Sequence, residues 1–521
     1  IGRERGLGNA VTGLDERCLG GSDRRPDPRR PLEEAPDADG VRRVVGALIG
    51  CGGGAPEGET TAAAADPGGF LILVLGDLLD RYGPGGFWLA LAGVAIAAVP
   101  LLTGNASVLY TFYPPLRANP AFYIGAAMLV VGSWFWCLVM VMSMTAWKKE
   151  NPGETVPLAM YGTVANAIMW FITSLGVTLE VLFQLIPWSL GISDTVDVGL
   201  ARTLFSWTLH AIVYFWLFPA YIAFYTLMPK QAGGRLASDH MARLAFIMLL
   251  VFSVPIGFHH LYMDPFQAAG WKFLHMTGTF MVAVPTLITG FTVIASMEIA
   301  GRLRGGKGLF GWLKTLPWDN PMVLATGLAM LLLTVGGFGG VVNASYSMNA
   351  MVHNTQWVTG HFHLIFGGTT VMMYFAIAYY LWPKMTGKEL FSVSLARKQL
   401  WLWFIGMIVL TLPWHQIGIT GQPRRISSTP YDPELTQMWG TSEFLMIVGG
   451  VILFISALML VINLLRTHGN PIPESVLEVE YAQPVHSTAR MPHLMNSFTF
   501  WFWLVVVYMI ASYGYPILQF F

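Results

Sequence analysis

Charge is scarce in this 521-residue chain: Asp, Glu, Lys and Arg together supply only 12% of it, thirty basic residues against thirty acidic. Soluble domains carry about 25%, so a solvated globular fold is excluded. A formal net charge of zero leaves no electrostatic footprint for nucleic acid, and no such partner is expected. Cysteine is almost absent, and Cys18, Cys51 and Cys137 form neither a metal-ligand spacing nor a disulfide framework. No histidine occurs before His210. What the chain has instead is apolar bulk: 54% hydrophobic residues, with 19 Trp, 18 Tyr and 27 Met that suit an interfacial aromatic belt and soft helix packing. The fold class read from this is all-α, a polytopic transmembrane helical bundle embedded in membrane lipid.

Residues 1–69 differ in kind from the remainder of the chain. They are rich in Gly, Ala, Arg, Asp and Pro, lack helical apolar periodicity, and read as a disordered or irregular segment. They match neither a signal peptide, which needs an apolar core, nor a transit peptide, which is poor in acids. Residues 70–521 form the membrane domain. From Gly86 onward, hydropathy gives eleven spans: 86–103, 120–146, 158–187, 200–228, 241–263, 272–302, 321–346, 355–383, 397–418, 443–465 and 496–520. Loops rich in Lys and Arg, such as Lys148–Lys149 and Arg302–Lys314, alternate strictly with loops that are not. The positive-inside rule places the first set in the cytoplasm, so 200–228 and 355–383 both run from outside to inside.

That orientation gives the histidines a depth. His361 and His363 lie about two turns into their span from the outer side, His210 lies about as deep in its own, and His259 and His260 sit at the outer end of 241–263. Five of the twelve histidines thus share one depth on three helices. Ionisable groups inside a membrane mark functional sites by default, and imidazole is a common ligand for copper and heme iron. Residues i and i+2 on a helix leave about 200° apart, so His361 and His363 point to opposite faces and one helix can serve two centres. The alternative is a set of buried polar groups bonded to their neighbours. His240, His468, His486 and His493 fall in loops, where solvation explains them; His275, His353 and His415 lie near the outer surface and fit either reading.

Two stripes extend from the cluster. His210, Tyr214, Tyr221 and Tyr225 follow spacings of 4, 7 and 4, which put them on one helix face, and Thr286, Thr289 and Thr292 recur every third residue of a neighbouring span. Hydroxyls pass protons along a hydrogen-bonded chain, which suggests a path from the cytoplasm. Aromatic stripes also simply pack, and membrane threonines often just bond the preceding turn.

HAIVY, FHHLYMDP and TGHFHL, in that order and each on its own span, resemble subunit I of the heme-copper oxygen reductases. HNTQWVTGHFHL, PKQAGG, GRLRGGKGLFGW and LPWDNP bring the resemblance to the B family, the cytochrome ba-type cytochrome c oxidases, over roughly residues 84–520. The resemblance implies a terminal respiratory oxidase of the bacterial cytoplasmic membrane that reduces O2 to water and couples this to proton uptake and translocation. His210, His259 and His260 would bind copper, and His361 a high-spin heme iron. His363 would bind a low-spin heme, of b type. Tyr214 would be cross-linked to His210 as a catalytic residue. Tyr221, Tyr225, Thr286, Thr289 and Thr292 would form the proton path, and Arg424 and Arg425 would hold heme propionates, a role that suits bidentate guanidinium. The A family has Glu two residues after the first histidine; here that position is Ile212. Implied partners are subunit II with a dinuclear copper centre, cytochrome c, and a small third subunit.

The chain departs from this pattern at its start. The family places two helices before Gly86, the second carrying the other histidine of the low-spin heme. Residues 1–69 supply neither, which is expected if this stretch was translated in a wrong frame of a GC-rich gene. An inactive paralogue without the low-spin heme is the structural alternative. A nitric oxide reductase of the same superfamily is the enzymatic one, although those enzymes lack a partner like Tyr214. Asn349 stands where the family often has an acid near the outer surface.

Overall fold

The computed structural model describes residues 67–109, 111–426, 433–473 and 476–521. Within these the chain is helical, with isolated β-bridges in place of strands. The principal helices are α1 (Pro67–Leu102), α2 (Pro120–Glu150), α3 (Leu158–Ser189), α4 (Val198–Thr226), α5 (Asp239–Ser253), α6 (Ala269–Met281), α7 (Ala283–Leu303), α8 (Pro321–Ala344), α9 (Gln356–Thr386), α10 (Val393–Ile419), α11 (Gly440–Leu465) and α12 (Thr499–Leu518). Several begin where a short polar side chain satisfies an orphan backbone donor. Asp197 accepts from Leu200 N at 2.8 Å to start α4, and Asn320 accepts from Met322 N at 2.9 Å to start α8, with Pro321 at its first position. Thr355 starts α9, and Gly387, at φ +65°, stops it in the left-handed region that glycine enters freely.

Ten helical segments among the described residues are long and apolar enough to cross a membrane. Their outer faces carry large apolar side chains such as Phe291 and Phe338, 77% and 70% exposed. In water such faces would be a liability; against acyl chains they are the right solvent. Eleven spans are expected from hydropathy, and the difference lies at 241–263. There α5 stops at Ser253 after 15 residues, about 22 Å of helix at 1.5 Å per residue and short of the roughly 30 Å hydrocarbon core. Pro255 cannot donate to the ladder and Gly257 follows it, so Val254 to Leu261 leaves the helix and ends in a 3-10 turn, Phe258–His260. His259 and His260 therefore stand on a tight turn, not on a third helix.

Two further differences concern helix geometry and the first element. α3 and α9 each contain a π-helical stretch, Val181–Leu185 and Leu364–Thr370, that apolar periodicity does not reveal. α1 begins at Pro67, so the boundary drawn at residue 69 falls inside a helix. Residues 1–66, with the expected irregular segment, lie outside the described residues.

The cytoplasm-side end of α5 is pinned by a buried ion pair. Arg243, 1% exposed, donates to Asp239 Oδ1 at 2.5 Å and to the Val156 carbonyl at 2.5 Å, and its guanidinium lies 4.7 Å from the Tyr161 ring. Removing one partner strands the other charge. Arg243→Ala is expected to cost about 3–5 kcal/mol, read as a lowered thermal unfolding midpoint of the purified protein; an unchanged midpoint would show the pair to be structurally idle.

Candidate metal centre

His210, His259 and His260 each offer a ring nitrogen, and the three atoms lie within 4.8 Å of one another. His210 lies near the middle of α4. Its ring centroid is 4.3 Å from that of His259 and 6.0 Å from that of His260. Consecutive residues of an α-helix would splay about 100° apart. The 3-10 turn, closed by His260 N to Gly257 O at 3.0 Å and Leu261 N to Phe258 O at 2.8 Å, instead holds the rings of His259 and His260 4.2 Å apart. His210 Nε2 is buried with no hydrogen-bond partner. Buried polar atoms are otherwise nearly always satisfied, so an orphaned imidazole nitrogen in a three-histidine cluster fits a soft or borderline metal ion such as copper.

His361 and His363 sit where α9 passes into its π-helical stretch. Nδ1 of His361 lies 3.0 Å from the Gly336 carbonyl of α8, and Nδ1 of His363 lies 2.8 Å from the Thr359 carbonyl. A carbonyl only accepts, so both Nδ1 atoms carry the proton and both Nε2 atoms keep the lone pair that an axial iron ligand requires. The two rings have different surroundings, as their spacing implies. His361 packs beside Trp357, 5.9 Å between centroids, while His363 lies 4.5 Å from Trp414. All five histidines line one cavity of about 1710 Å³, walled largely by apolar side chains of α4, α7, α8 and α9 and including Arg424 and Arg425. Arg425, at φ +63°, extends its guanidinium over Tyr113 at 5.5 Å, and Arg424 N donates to Asn354 O at 2.9 Å. The residues therefore suit a planar macrocycle with anionic substituents at the arginine end, held by His361. For a second such group the described residues supply one histidine, His363, whose ring lies against Trp414.

Tyr214 lies one turn below His210, with ring centroids 4.9 Å apart. Farther along the stripe, Tyr221 and Tyr225 are fully buried. The Tyr225 hydroxyl meets Thr289 Oγ1 at 2.6 Å, whereas the Tyr221 hydroxyl closes no hydrogen bond. Thr286, Thr289 and Thr292 donate to the carbonyls of Val282, Pro285 and Ile288 at 3.3, 2.7 and 2.8 Å. The back-bonding expected of membrane threonines is thus present in all three, and one direct link joins the two stripes. Because Thr289 spends its proton on Pro285 O, Tyr225 is the donor in that link.

Of the other histidines, His468, His486 and His493 are exposed and His240 is half-buried. His415 donates from Nδ1 to Thr411 O at 2.6 Å and packs against Trp357. In the loop before α9, His353 is pushed down to about 4, first by burial and then by the Arg424 and Arg202 guanidinium groups, so it is neutral at pH 7. Asn349 braces the site: its Nδ2 donates to the His259 carbonyl at 3.0 Å and to Asn343 O at 2.8 Å, a double donation that an ionised acid could not make.

Three residues of the site are not evident from sequence. Thr279 reaches the His259 ring, Gly336 supplies the carbonyl for His361, and Gly339 makes room for that imidazole, since a Cβ there would collide with His361 Nδ1. The GGFGG run in span 321–346 and the polar Thr279 in an apolar stretch are the signals that point to them.

The chain is similar to known proteins in sequence and in overall structure. A family model described as cytochrome c and quinol oxidase polypeptide I matches residues 77–452. The chain is 41% identical to a cytochrome c oxidase subunit 1 of Thermus thermophilus over 442 residues, covering 84% of this chain and 78% of that one. It is 26% identical to a cytochrome c oxidase subunit 1 of Synechocystis, over 76% of this chain and 72% of that one. Among solved structures, a heme-copper terminal oxidase dimer determined by cryo-EM superposes with a TM-score of 0.79 at 36% identity, covering 86% of this chain and 82% of that one.

Gly339→Ala is expected to drive the His361 ring off the Gly336 carbonyl and to weaken whatever His361 ligates about 10-fold. The measurement is heme per chain and the visible absorption spectrum of the purified complex; a full complement with an unshifted spectrum would show that the ring has room.

Proposed function

Because the chain belongs to the cytochrome c and quinol oxidase polypeptide I family, we propose that His210, His259 and His260 hold copper and that His361 is the axial ligand of the high-spin heme facing it. The protein is subunit I of a heme-copper cytochrome c oxidase, a multi-pass bacterial membrane protein that works with subunit II. The observation that carries the residue assignment is the convergence of three histidine nitrogens within 4.8 Å, in the same cavity as a fourth histidine whose Nε2 is left as an acceptor.

When bound, the hemes and copper pass electrons and reduce O2 to water. The chain's own residues do the rest. Gly336 O and Thr359 O hold protons on His361 and His363 at Nδ1, which directs each Nε2 to its metal. Arg424 and Arg425 offer charge-assisted hydrogen bonds to propionates. Tyr214, 4.9 Å from the His210 ring, is within reach of a covalent link to it and is placed to hold a proton and give up an electron at the same spot. Tyr225 donates towards Thr289; with Thr286, Thr292 and Tyr221 it belongs to the two hydroxyl stripes that would supply protons, joined directly at Tyr225–Thr289. His363 offers one ligand to a low-spin heme. The described residues hold no second, so nothing here is routed through that group. A b-type low-spin heme, a dinuclear copper centre in subunit II, cytochrome c as donor and a small third subunit rest on the likeness to the B family.

A reduced-minus-oxidised spectrum with elemental analysis of the purified complex tests the assignment: copper absent from the wild-type complex would sink it. His260→Ala is expected to lower copper per chain and cytochrome c-dependent oxygen consumption about 100-fold; full copper in that variant would remove His260 from the ligand set. Tyr225→Phe is expected to slow turnover about 100-fold, the effect of losing a positioned proton carrier, with copper and heme retained. Proton uptake followed with a pH indicator should slow in parallel, and an unaltered rate would take the stripe out of the path.

A further inference from the structure

We propose that His275 is a positioning residue of the copper centre, a histidine that binds no metal and instead sets the turn and the ring orientation of His259. It lies on α6 and is fully buried. Its Nδ1 accepts the backbone N–H of Gly257 at 3.0 Å and that of Phe258 at 3.3 Å. An atom that accepts two N–H groups carries no proton, so the ring proton is on Nε2, which donates to the Ser512 carbonyl of α12 at 3.2 Å. The ring also stacks on Phe258, with centroids 3.8 Å apart and planes within 6°. Both nitrogens are spent, and no lone pair remains for a metal.

The backbone of residue 275, whatever its side chain, reaches His259 by a second route. The Thr279 hydroxyl donates to the His275 carbonyl at 2.6 Å. A hydroxyl has one proton, so Thr279 Oγ1 must accept from His259 Nδ1, which lies 3.1 Å away. His259 then presents Nε2 to the metal. One turn of α6 thus holds the backbone two residues before the ligand and fixes the tautomer of the ligand itself, as hydrogen-bonded partners behind metal-bound histidines do. The turn has little freedom to compensate: a Cβ on Gly257 would meet the Ser206 carbonyl of α4 and the Tyr513 hydroxyl of α12. Without the His275 ring, two buried N–H groups lose their acceptor.

This inference rests on the copper assignment, and wild-type copper content separates the two: copper missing from wild type overturns the assignment, whereas variant behaviour in a copper-replete background bears on His275 alone. The test uses the complete oxidase complex with His275→Asn, His275→Gln and His275→Phe. The asparagine Oδ1 sits close to the position of Nδ1 and can accept from Gly257 and Phe258; the glutamine amide reaches the Nε2 position instead, and phenylalanine keeps only the stack. Copper per chain under a graded chelator and the infrared stretch of carbon monoxide on the reduced copper are measured. Gln and Phe are expected to weaken copper retention about 10–100-fold and to shift or broaden the band, with Asn within about threefold of wild type. Wild-type behaviour in all three variants overturns the proposal. So does a loss in Asn equal to that in Gln, because a purely packing role would not distinguish them. If the Phe variant does not accumulate, the Asn–Gln contrast decides.

Discussion

A neutral imidazole carries its proton on one nitrogen and its lone pair on the other, and the hydrogen bond made by the N–H fixes which nitrogen is turned to a metal. The centre depends on that constraint. His361 is settled by Gly336 O, His363 by Thr359 O, and His259 by Thr279. Each acceptor comes from packed helix, so ligand orientation depends on the depth and rotation of α6, α8 and α9. Close packing in turn requires small residues where rings approach backbones, as at Gly339. The apolar bulk that dominates the composition is the medium in which these few hydrogen bonds are strong.

The histidine cluster was legible in the sequence because its members are rare polar groups in long apolar runs. Depth read from the loops brought His210, His259, His260, His361 and His363 to one level, and the structure places all five around one cavity. The i, i+2 spacing on α9 likewise translated directly into two faces with different neighbours. What was not legible is how the backbone leaves regular helix. The apolar run of 241–263 reads as one span, yet α5 stops at Ser253, just before Pro255, and passes the histidines to a 3-10 turn. Apolar periodicity is equally blind to the π-helical stretches Val181–Leu185 and Leu364–Thr370, whose side chains are those of any membrane helix.

The hydroxyl stripes mark an intermediate case. Spacing put Tyr221 and Tyr225 on one face and Thr286, Thr289 and Thr292 on another, and Tyr225 does meet Thr289. Periodicity cannot tell a threonine that merely bonds its own helix from one that also receives a proton, and Thr289 does both. Asn349 shows the reverse limit. It stands where the family often has an acid, and its amide ties the His259 backbone to Asn343, a use visible only once two segments 90 residues apart are in place.

The contact between His275 and Ser512 joins the Phe258–His260 turn to α12, 237 residues farther along the chain. Synthesis proceeds from the N-terminus, so the histidine ligands are inserted into the bilayer before the carbonyl that steadies their turn has been made. During that interval the turn lacks one of its supports. The turn is fully supported only once α12 has packed against α4 and α6, so a change in α12, far from the histidines in sequence, reaches their geometry through this one carbonyl.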